Sequence, residues 1–255
     1  MPSAPRFGYP IFPYTSIDST MREAAEWAER NAPEGSLIIA EEQTAGRGRL
    51  GRSWISERGV GLYFSIILRP DIPAASAPVL TLAIGLGVAR GIGEVCGRQC
   101  DLRWPNDVLL NEKKVSGILV EMESGRDRVR HVIAGVGINV NNSAMPPELA
   151  EIASSLKIET GCEFLLDVVR DHVLAQMERY YGMFLERGAQ PVIDAFTRAS
   201  SYARGRRVVV ENGEQRIHGV TAGLDPSGVL LLERPGGTIE PVLAGSVRSW
   251  VDGEI

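Results

Sequence analysis

The chain has 255 residues, 44% of them hydrophobic and 23% charged, and carries a formal net charge of −5. That balance is ordinary for a globular protein and excludes wholesale disorder. It also argues against general nucleic-acid binding, which needs a basic face over much of a domain.

Met1 to Arg6 lead into no apolar signal region, and no apolar run reads as long enough to span a bilayer. Asp18-Ser19-Thr20-Met21-Arg22-Glu23 reads as a helix N-terminus, with Thr20 and Glu23 at capping-box spacing. Met21, Ala24, Ala25 and Ala28 recur at helical spacing until residues 31–35, including Pro33, stop the helix. Leu37 to Ala40 is an apolar run suited to a buried strand, and it feeds into Gln43-Thr44-Ala45-Gly46-Arg47-Gly48-Arg49-Leu50-Gly51-Arg52-Ser53-Trp54. Residues 46–52 hold three arginines and three glycines, a poor interior for a helix or a strand. Such a segment can bring backbone N–H groups and guanidinium forks around an anion without Cβ atoms in the way. It reads as a mobile loop that orders on something phosphorylated, with Trp54 offering a flat face to a ring. A solvated basic loop is the plainer alternative.

Gly61 to Leu68 is a second strand, ended by Pro70. Residues 77–97 form an apolar stretch at helical spacing, whose glycines suit close packing against a sheet. Leu102-Arg103-Trp104-Pro105-Asn106-Asp107 is a strand broken by proline; its amide and carboxylate suit a metal ion or a ribose, or else close a local Asx-type turn. Residues 115–123 and 129–141 are strands joined at Ser124-Gly125 as an antiparallel hairpin. Lys114 stands just before the first of them, and Gly117, third in that strand, lets another group approach the backbone. An ammonium there can stabilise charge on a phosphoryl group, although Lys113 and Lys114 equally suit a hairpin turn. In the second strand Gly135 and Gly137 leave one face bare, a floor for a flat ligand. The chain has neither a dinucleotide fingerprint nor a P-loop.

Residues 146–157, 163–187 and 191–203 read as helices. After Ala203-Arg204-Gly205 come short β-rich runs at 207–211, 217–222, 229–232 and 239–243, separated by turn signals. They form a second domain, a small barrel or sandwich, and divide the chain into 1–203 and 204–255. Cys96, Cys100 and Cys162 lack metal spacing and fit reduced interior thiols. His131, His172 and His218 read as surface residues of strands or helices.

Taken in order, Asp18-Ser19-Thr20, Gln43-x-x-Gly46-Arg47-Gly48-Arg49-x-Gly51-Arg52-x-Trp54, Trp104-Pro105-Asn106-Asp107, Lys114-x-x-Gly117-Ile118-Leu119-x-Glu121 and Gly135-x-Gly137-Ile138-Asn139 resemble the biotin–protein ligases. Any one motif is weak; the ordered series is specific and covers residues 17–250. The resemblance implies an α+β fold, with a mixed, largely antiparallel sheet packed with helices in the class II synthetase-like manner and a small C-terminal SH3-like β-barrel. It implies that biotin, ATP and magnesium give biotinyl-5′-adenylate and pyrophosphate. A lysine of a biotin carboxyl carrier domain then takes the biotinyl group and AMP leaves. Two anions must meet in the first step, so fixed positive charge is required. The adenylate is hydrolysable, so a closing loop is expected.

Residue by residue, the resemblance puts Ser19, Thr20, Gln43 and Gly46 at the biotin head group, with Gly117, Gly135 and Gly137 letting the ligand lie against the backbone. Arg47, Gly48 and Arg49 match the loop that folds over biotin and adenylate. Arg52, Trp54, Asn106 and Asn139 match the adenylate side. Lys114 matches the lysine that touches both carboxylate and phosphate, and with Arg49 and Asp107 it makes the catalytic set; the metal ligands stay unassigned. Met21 departs from a frequent asparagine and Arg103 from a frequent lysine. Bifunctional relatives carry an N-terminal helix-turn-helix, and fewer than twenty residues precede Ser19. The expectation is therefore a cytoplasmic, monofunctional ligase that binds neither DNA nor membrane, with homodimerisation open. A lipoate–protein ligase and a non-catalytic biotin or adenylate sensor are the alternatives.

Overall fold

The computed structural model describes residues 7–125, 128–213 and 215–250, so the reading of Met1 to Arg6 lies outside the described residues. Alternation along one strand decides the layering. In β3 (Gly61–Leu68, with β1 Ile11–Tyr14 and β2 Leu37–Ala40 before it) every residue is buried. Leu62, Phe64, Ile66 and Leu68 join the main core, whereas Ile67 joins a smaller cluster with Met21, Ala24, Ala28, Ile38 and Ile133. Successive strand side chains point to opposite faces, so both faces of this sheet are covered. The remaining strands are β4 (Asp101–Arg103), β5 (Asp107–Leu110), β6 (Lys113–Ser124) and β7 (Val129–Asn139), in the order β1-β2-β3-β7-β6-β5-β4. β1 and β2 are parallel and the other pairs antiparallel, giving the mixed, largely antiparallel sheet that was expected. The edge strand β1 has no counterpart in the sequence reading, because Ile-Phe-Pro-Tyr is short and carries a proline.

The first helix, α1 (Thr20–Glu29), covers the face that carries Ile133. No capping box forms: Ser19 is the N-cap and makes no side-chain cap bond, while the Glu23 carboxylate accepts from Tyr14 Oη at 2.7 Å. The opposite face is packed by α2 (Ala77–Cys96). This helix is long and apolar enough to cross a membrane by length and composition alone, which corrects the expectation that no such run exists. It is a core helix here, with Leu80, Leu82, Ile84, Val88 and Ile92 fully buried. Its Gly87 and Gly91 face a helix rather than the sheet. A Cβ at either would come within 2.5 Å of a backbone atom of Met177 or Val173 on α4 (Leu166–Arg187, preceded by the short α3, Leu156–Thr160).

Several boundaries differ from expectation. Residues 146–155 are turns and a bridge rather than a helix, because the Lys114 N–H donates to Ile152 O at 3.0 Å and the Ser154 N–H to Lys114 O at 2.9 Å. The segment is therefore drawn onto a strand edge. The last helix, α5 (Ala189–Ala199), starts before Pro191 and ends four residues earlier than read, with Pro191 tolerated in its first turn. His131 is buried on β7 rather than at the surface, Cys162 is exposed and Cys96 half-buried; only Cys100 is an interior thiol.

The second sheet comprises β8 (Arg204–Asn212), β9 (Gln215–Leu224), β10 (Leu230–Glu233), β11 (Ile239–Val242) and β12 (Ser246–Ser249), antiparallel in the order β11-β10-β9-β8-β12. β12 is the strand the sequence reading missed. This unit is fastened to the first sheet at the Trp-Pro turn. There Trp104 Nε1 donates to Gly228 O at 3.0 Å, and beyond the turn Arg206 pairs with Glu112 at 2.9 Å.

Candidate active site

Gly135 and Gly137 on β7 and Gly117 on β6 share with Ile133 the face on which α1 packs, because odd-numbered residues of β7 point that way. This face is not an open floor. A Cβ on Gly137 would overlap the Trp54 indole, and one on Gly135 would overlap the Met21 thioether. One on Gly117 would lie 2.9 Å from Trp54 Cζ3 and 3.0 Å from Lys114 Nζ. The glycines are bare, as read, but it is Trp54 and Met21 that lie on them.

Residues 46–54 form a tight hairpin. The Trp54 N–H donates to Gly46 O at 2.9 Å, the Gly48 N–H donates to Arg52 O at 2.7 Å, and Arg47 pairs with Ser53. At the tip, Arg49–Gly51 makes one 3-10 turn in which Leu50 takes φ 56°. A Cβ on Gly46 would overlap Trp54 O, so that glycine serves the hairpin's own closure. The arginines diverge instead of converging on one point. Arg47 meets Glu121 on β6, Nη2 to Oε1 at 2.7 Å. Arg49 Nη1 donates to Asn106 Oδ1 at 3.0 Å and to Gly245 O at 3.5 Å, joining the hairpin, the Trp-Pro turn and the second sheet. Arg52 is exposed at the rim of a cavity. Burial pulls the Arg49 guanidinium down from its ordinary value, against the opposing pull of Asp107.

Lys114 is aimed by a bulge. Leu109 pairs with Lys114 but Val108 pairs with Ser116, so Val115 is an extra residue. In a regular strand Lys114 and Gly117 would point to opposite faces; one inserted residue brings the lysine onto the glycine face. There Nζ lies 2.5 Å from Asp107 Oδ1 and 5.4 Å from the Trp54 ring centroid. The other Asp107 oxygen accepts from Arg103 Nη2 at 2.8 Å. Burial alone would raise the Asp107 carboxyl, but Lys114 and then Arg103 outweigh it and hold it below the usual carboxylate range. Both oxygens thus face cations, and Asp107 braces the lysine. Asn106 is no local Asx turn either: its Nδ2 donates to Ile118 O at 2.7 Å across on β6. Lys113, by contrast, donates to Ala150 O at the surface.

The polar head of α1 is a connected set. Gln43 Oε1 accepts from the Thr20 N–H at 2.8 Å and from Thr20 Oγ1 at 3.1 Å, while Ser65 Oγ donates to Thr20 Oγ1 at 2.9 Å. Gln43 Nε2 donates to Ser56 Oγ at 2.9 Å. Ser19 Oγ is buried and has no partner among the described residues.

Two adjoining cavities result. The wide one, about 350 Å³, is lined by Arg49, Arg52, Asn106, Asp107 and Asn139. The narrow one, about 40 Å³, is lined by Thr20, Gln43, Arg47, Gly117, Gly135 and Gly137. Gly48, Trp54 and Lys114 line both and form the partition. Ser19 and Gly46 line neither cavity. Sequence reasoning missed Met145, Leu149 and Ile152, and Ser246 to Arg248 from the second sheet, which close the wide cavity. Leu149 and Ile152 were hidden because residues 146–155 read as helix; nothing local marks Met145 or the second group.

The sequence profile of the Biotin/lipoate A/B protein ligase family matches residues 14–139, and that of the Biotin protein ligase C terminal domain matches residues 204–248. The bifunctional ligase/repressor BirA of Bacillus subtilis is 44% identical over 223 residues, covering 85% of this chain and 67% of the relative. The biotin–[acetyl-CoA-carboxylase] ligase of Paracoccus denitrificans is 32% identical over 231 residues, covering 86% and 92%. Among solved structures, biotin protein ligase from Aquifex aeolicus in complex with biotin and ATP is similar with a TM-score of 0.80 and 34% identity, covering 94% of this chain and 99% of that one.

Proposed function

We propose a function for this chain on the premise that it belongs to the biotin/lipoate A/B protein ligase family. It activates biotin with ATP to biotinyl-5′-AMP and transfers the biotinyl group to a lysine of a biotin carboxyl carrier domain. The observation that carries the reading is the placement of Lys114, on the partition between a narrow and a wide cavity with its charge fixed by Asp107.

The biotin head group enters the narrow cavity, where the Thr20–Gln43–Ser65 set offers polar partners. Trp54 and Met21 shift off the glycine strands to admit it; a methionine is well suited to this because its side chain is unbranched and flexible. ATP occupies the wide cavity. The biotin carboxylate oxygen attacks the α-phosphorus, the bond to the bridging oxygen breaks, and pyrophosphate leaves. Lys114 faces both anions across the partition and stabilises the charge that develops on the α-phosphate. Arg49 and Arg52 supply further positive charge on the ATP side. In the second step the carrier amine attacks the acyl carbon, the acyl–oxygen bond breaks, and AMP leaves with the electron pair. The carbonyl of Gly245 and residues Ser246 to Arg248 at the wide cavity support a role for the second sheet in holding the nucleotide.

Magnesium fits as a companion of the nucleotide and not as a resident ion. Asp107 is taken by two cations and Asn106 Oδ1 by Arg49. Glu148 is the carboxylate lining the wide cavity that has no cationic partner among the described residues. Magnesium is commonly held by one or two carboxylates plus phosphate oxygens and water. It would neutralise phosphate charge; the residues do the positioning.

The test is incubation with biotin, MgATP and an apo carrier domain, following pyrophosphate release and the mass of the carrier. A biotinyl mass increment on one lysine is expected. Adenylation of lipoate without adenylation of biotin would overturn the reading.

A further inference from the structure

We propose that Glu121 is a positioning residue that latches the 46–54 hairpin across the narrow cavity and so governs how long the activated intermediate is retained. The retention part rests on the ligase reading; the latch does not. On β6, Gly117, Leu119 and Glu121 follow at period two and so share the site face, and Gly117 and Leu119 line the narrow cavity. Arg47 lines that cavity from the hairpin. Its guanidinium ends on Glu121 fork to fork, Nη2 to Oε1 at 2.7 Å and Nη1 to Oε2 at 3.2 Å. A paired contact of this kind fixes orientation as well as distance. Among the described residues this is the one ion pair between hairpin and sheet.

Glu121 is also the separable anchor. The hairpin's other holds are Trp54 on the glycines and Arg49 on Asn106 and Gly245 O, both made by side chains that border the reaction cavities. Glu121 lines neither cavity and pairs with Arg47. Both side chains of the pair are about half exposed, 47% and 41%, which limits its strength. An exposed pair changes an opening equilibrium by up to about fivefold. It is also screened by salt, since the Debye length falls to about 3 Å at 1 M.

Glu121→Gln keeps the shape and removes the charge. Trypsin cleavage after Arg47, Arg49 and Arg52, measured without substrates, should quicken by about three- to fivefold. Escape of preformed biotinyl-5′-AMP, chased with excess biotin, should quicken by a similar factor, while single-turnover pyrophosphate release changes less than twofold. Raising the salt should bring the ratio of variant to wild-type escape rates towards one. Exchanging the charges, Arg47→Glu with Glu121→Arg, should restore protection at Arg49 and Arg52, the two hairpin sites that the exchange keeps, which a merely structural role for Glu121 would not predict. Wild-type cleavage and escape rates in Glu121→Gln, or an exchange variant no better protected than Glu121→Gln, would overturn the latch. The trypsin measurement uses no substrate. A chain that made no biotinyl-adenylate would therefore sink the ligase reading and still leave the latch to be judged.

Discussion

Lys114 Nζ and Asp107 Oδ1 lie 2.5 Å apart on adjacent strands, and a one-residue bulge in β6 is what lets them meet on the glycine face. The carboxylate fixes where the ammonium points and leaves its remaining donors for a ligand. Charge held in place before reaction costs no reorganisation when phosphate charge shifts. Lys114→Ala should therefore lower single-turnover adenylation by at least about a hundredfold. Biotin affinity by calorimetry should weaken by less than about tenfold, because only the transition state needs the full charge. Equal losses in both would contradict the role.

Gly137 bears the Trp54 ring directly, with no room for a methyl group. Gly137→Ala should lift the indole, at a cost of about 1–3 kcal/mol in stability by overpacking. Tryptophan emission should shift to the red and adenylation should fall by about tenfold or more. Unchanged emission and unchanged urea midpoint would mean the ring rests elsewhere.

Arg49 ties the hairpin tip to Asn106 and to Gly245 O. With Arg49→Gly, biotinyl-5′-AMP should dissociate faster and biotinylate bystander lysines on added proteins, measured by avidin blotting. A variant that releases the adenylate no faster than the parent would show that the tip is held by other contacts.

His131 sits buried on β7. Desolvation lowers its imidazole below the ordinary value, against the opposing influence of Glu123 and Glu29 and with that of Arg69 and Arg130. Between about pH 6.5 and the depressed folded value the unfolded chain binds a proton that the folded chain does not. Stability contributed by His131 is present above that window and is lost as pH falls through it. Denaturation midpoints between pH 8 and pH 5 should decline less steeply for His131→Gln than for the parent. Parallel slopes would mean that His131 is not the group responsible.

The Cys96 thiol is held below its ordinary value, chiefly by its hydrogen bond with Cys100, while that bond and burial push the Cys100 thiol up. Iodoacetamide at pH 7 should thus label Cys96 several-fold faster than exposed Cys162, with Cys100 last, since the thiolate is the reactive form. Peptide mass mapping over time gives the order, and Cys162 first would refute it.

The site was legible where chemistry is written into local sequence. The glycines at 117, 135 and 137, the lysine at 114 and the carboxylate at 107 come from different elements, and the structure brings them within one neighbourhood. Strand limits at Leu37–Ala40 and Gly61–Leu68 were read to the residue, because each is a short, mainly apolar run that stops at a charged residue, Glu41 or Arg69. What stayed hidden depends on long-range partners. Thr20 reads as part of a cap, yet its hydroxyl goes to Gln43 and Ser65. Residues 146–155 read as helix, yet their backbone pairs with Lys114. Glu121 stood in a motif with no assigned task, since its Arg47 partner lies 74 positions away.

The hydrogen bond from the Trp104 indole to Gly228 O has a practical corollary for anyone dissecting the chain. Trp104 is only 5% exposed, and Asp107 follows it by three residues. Cutting the polypeptide before residue 204 would leave a large ring without its cover and its N–H without an acceptor, right beside the clamp on Lys114. A fragment ending there should be both sticky and slow. The two sheets are thus better treated as one purchasable unit for engineering than as a module with a detachable tail.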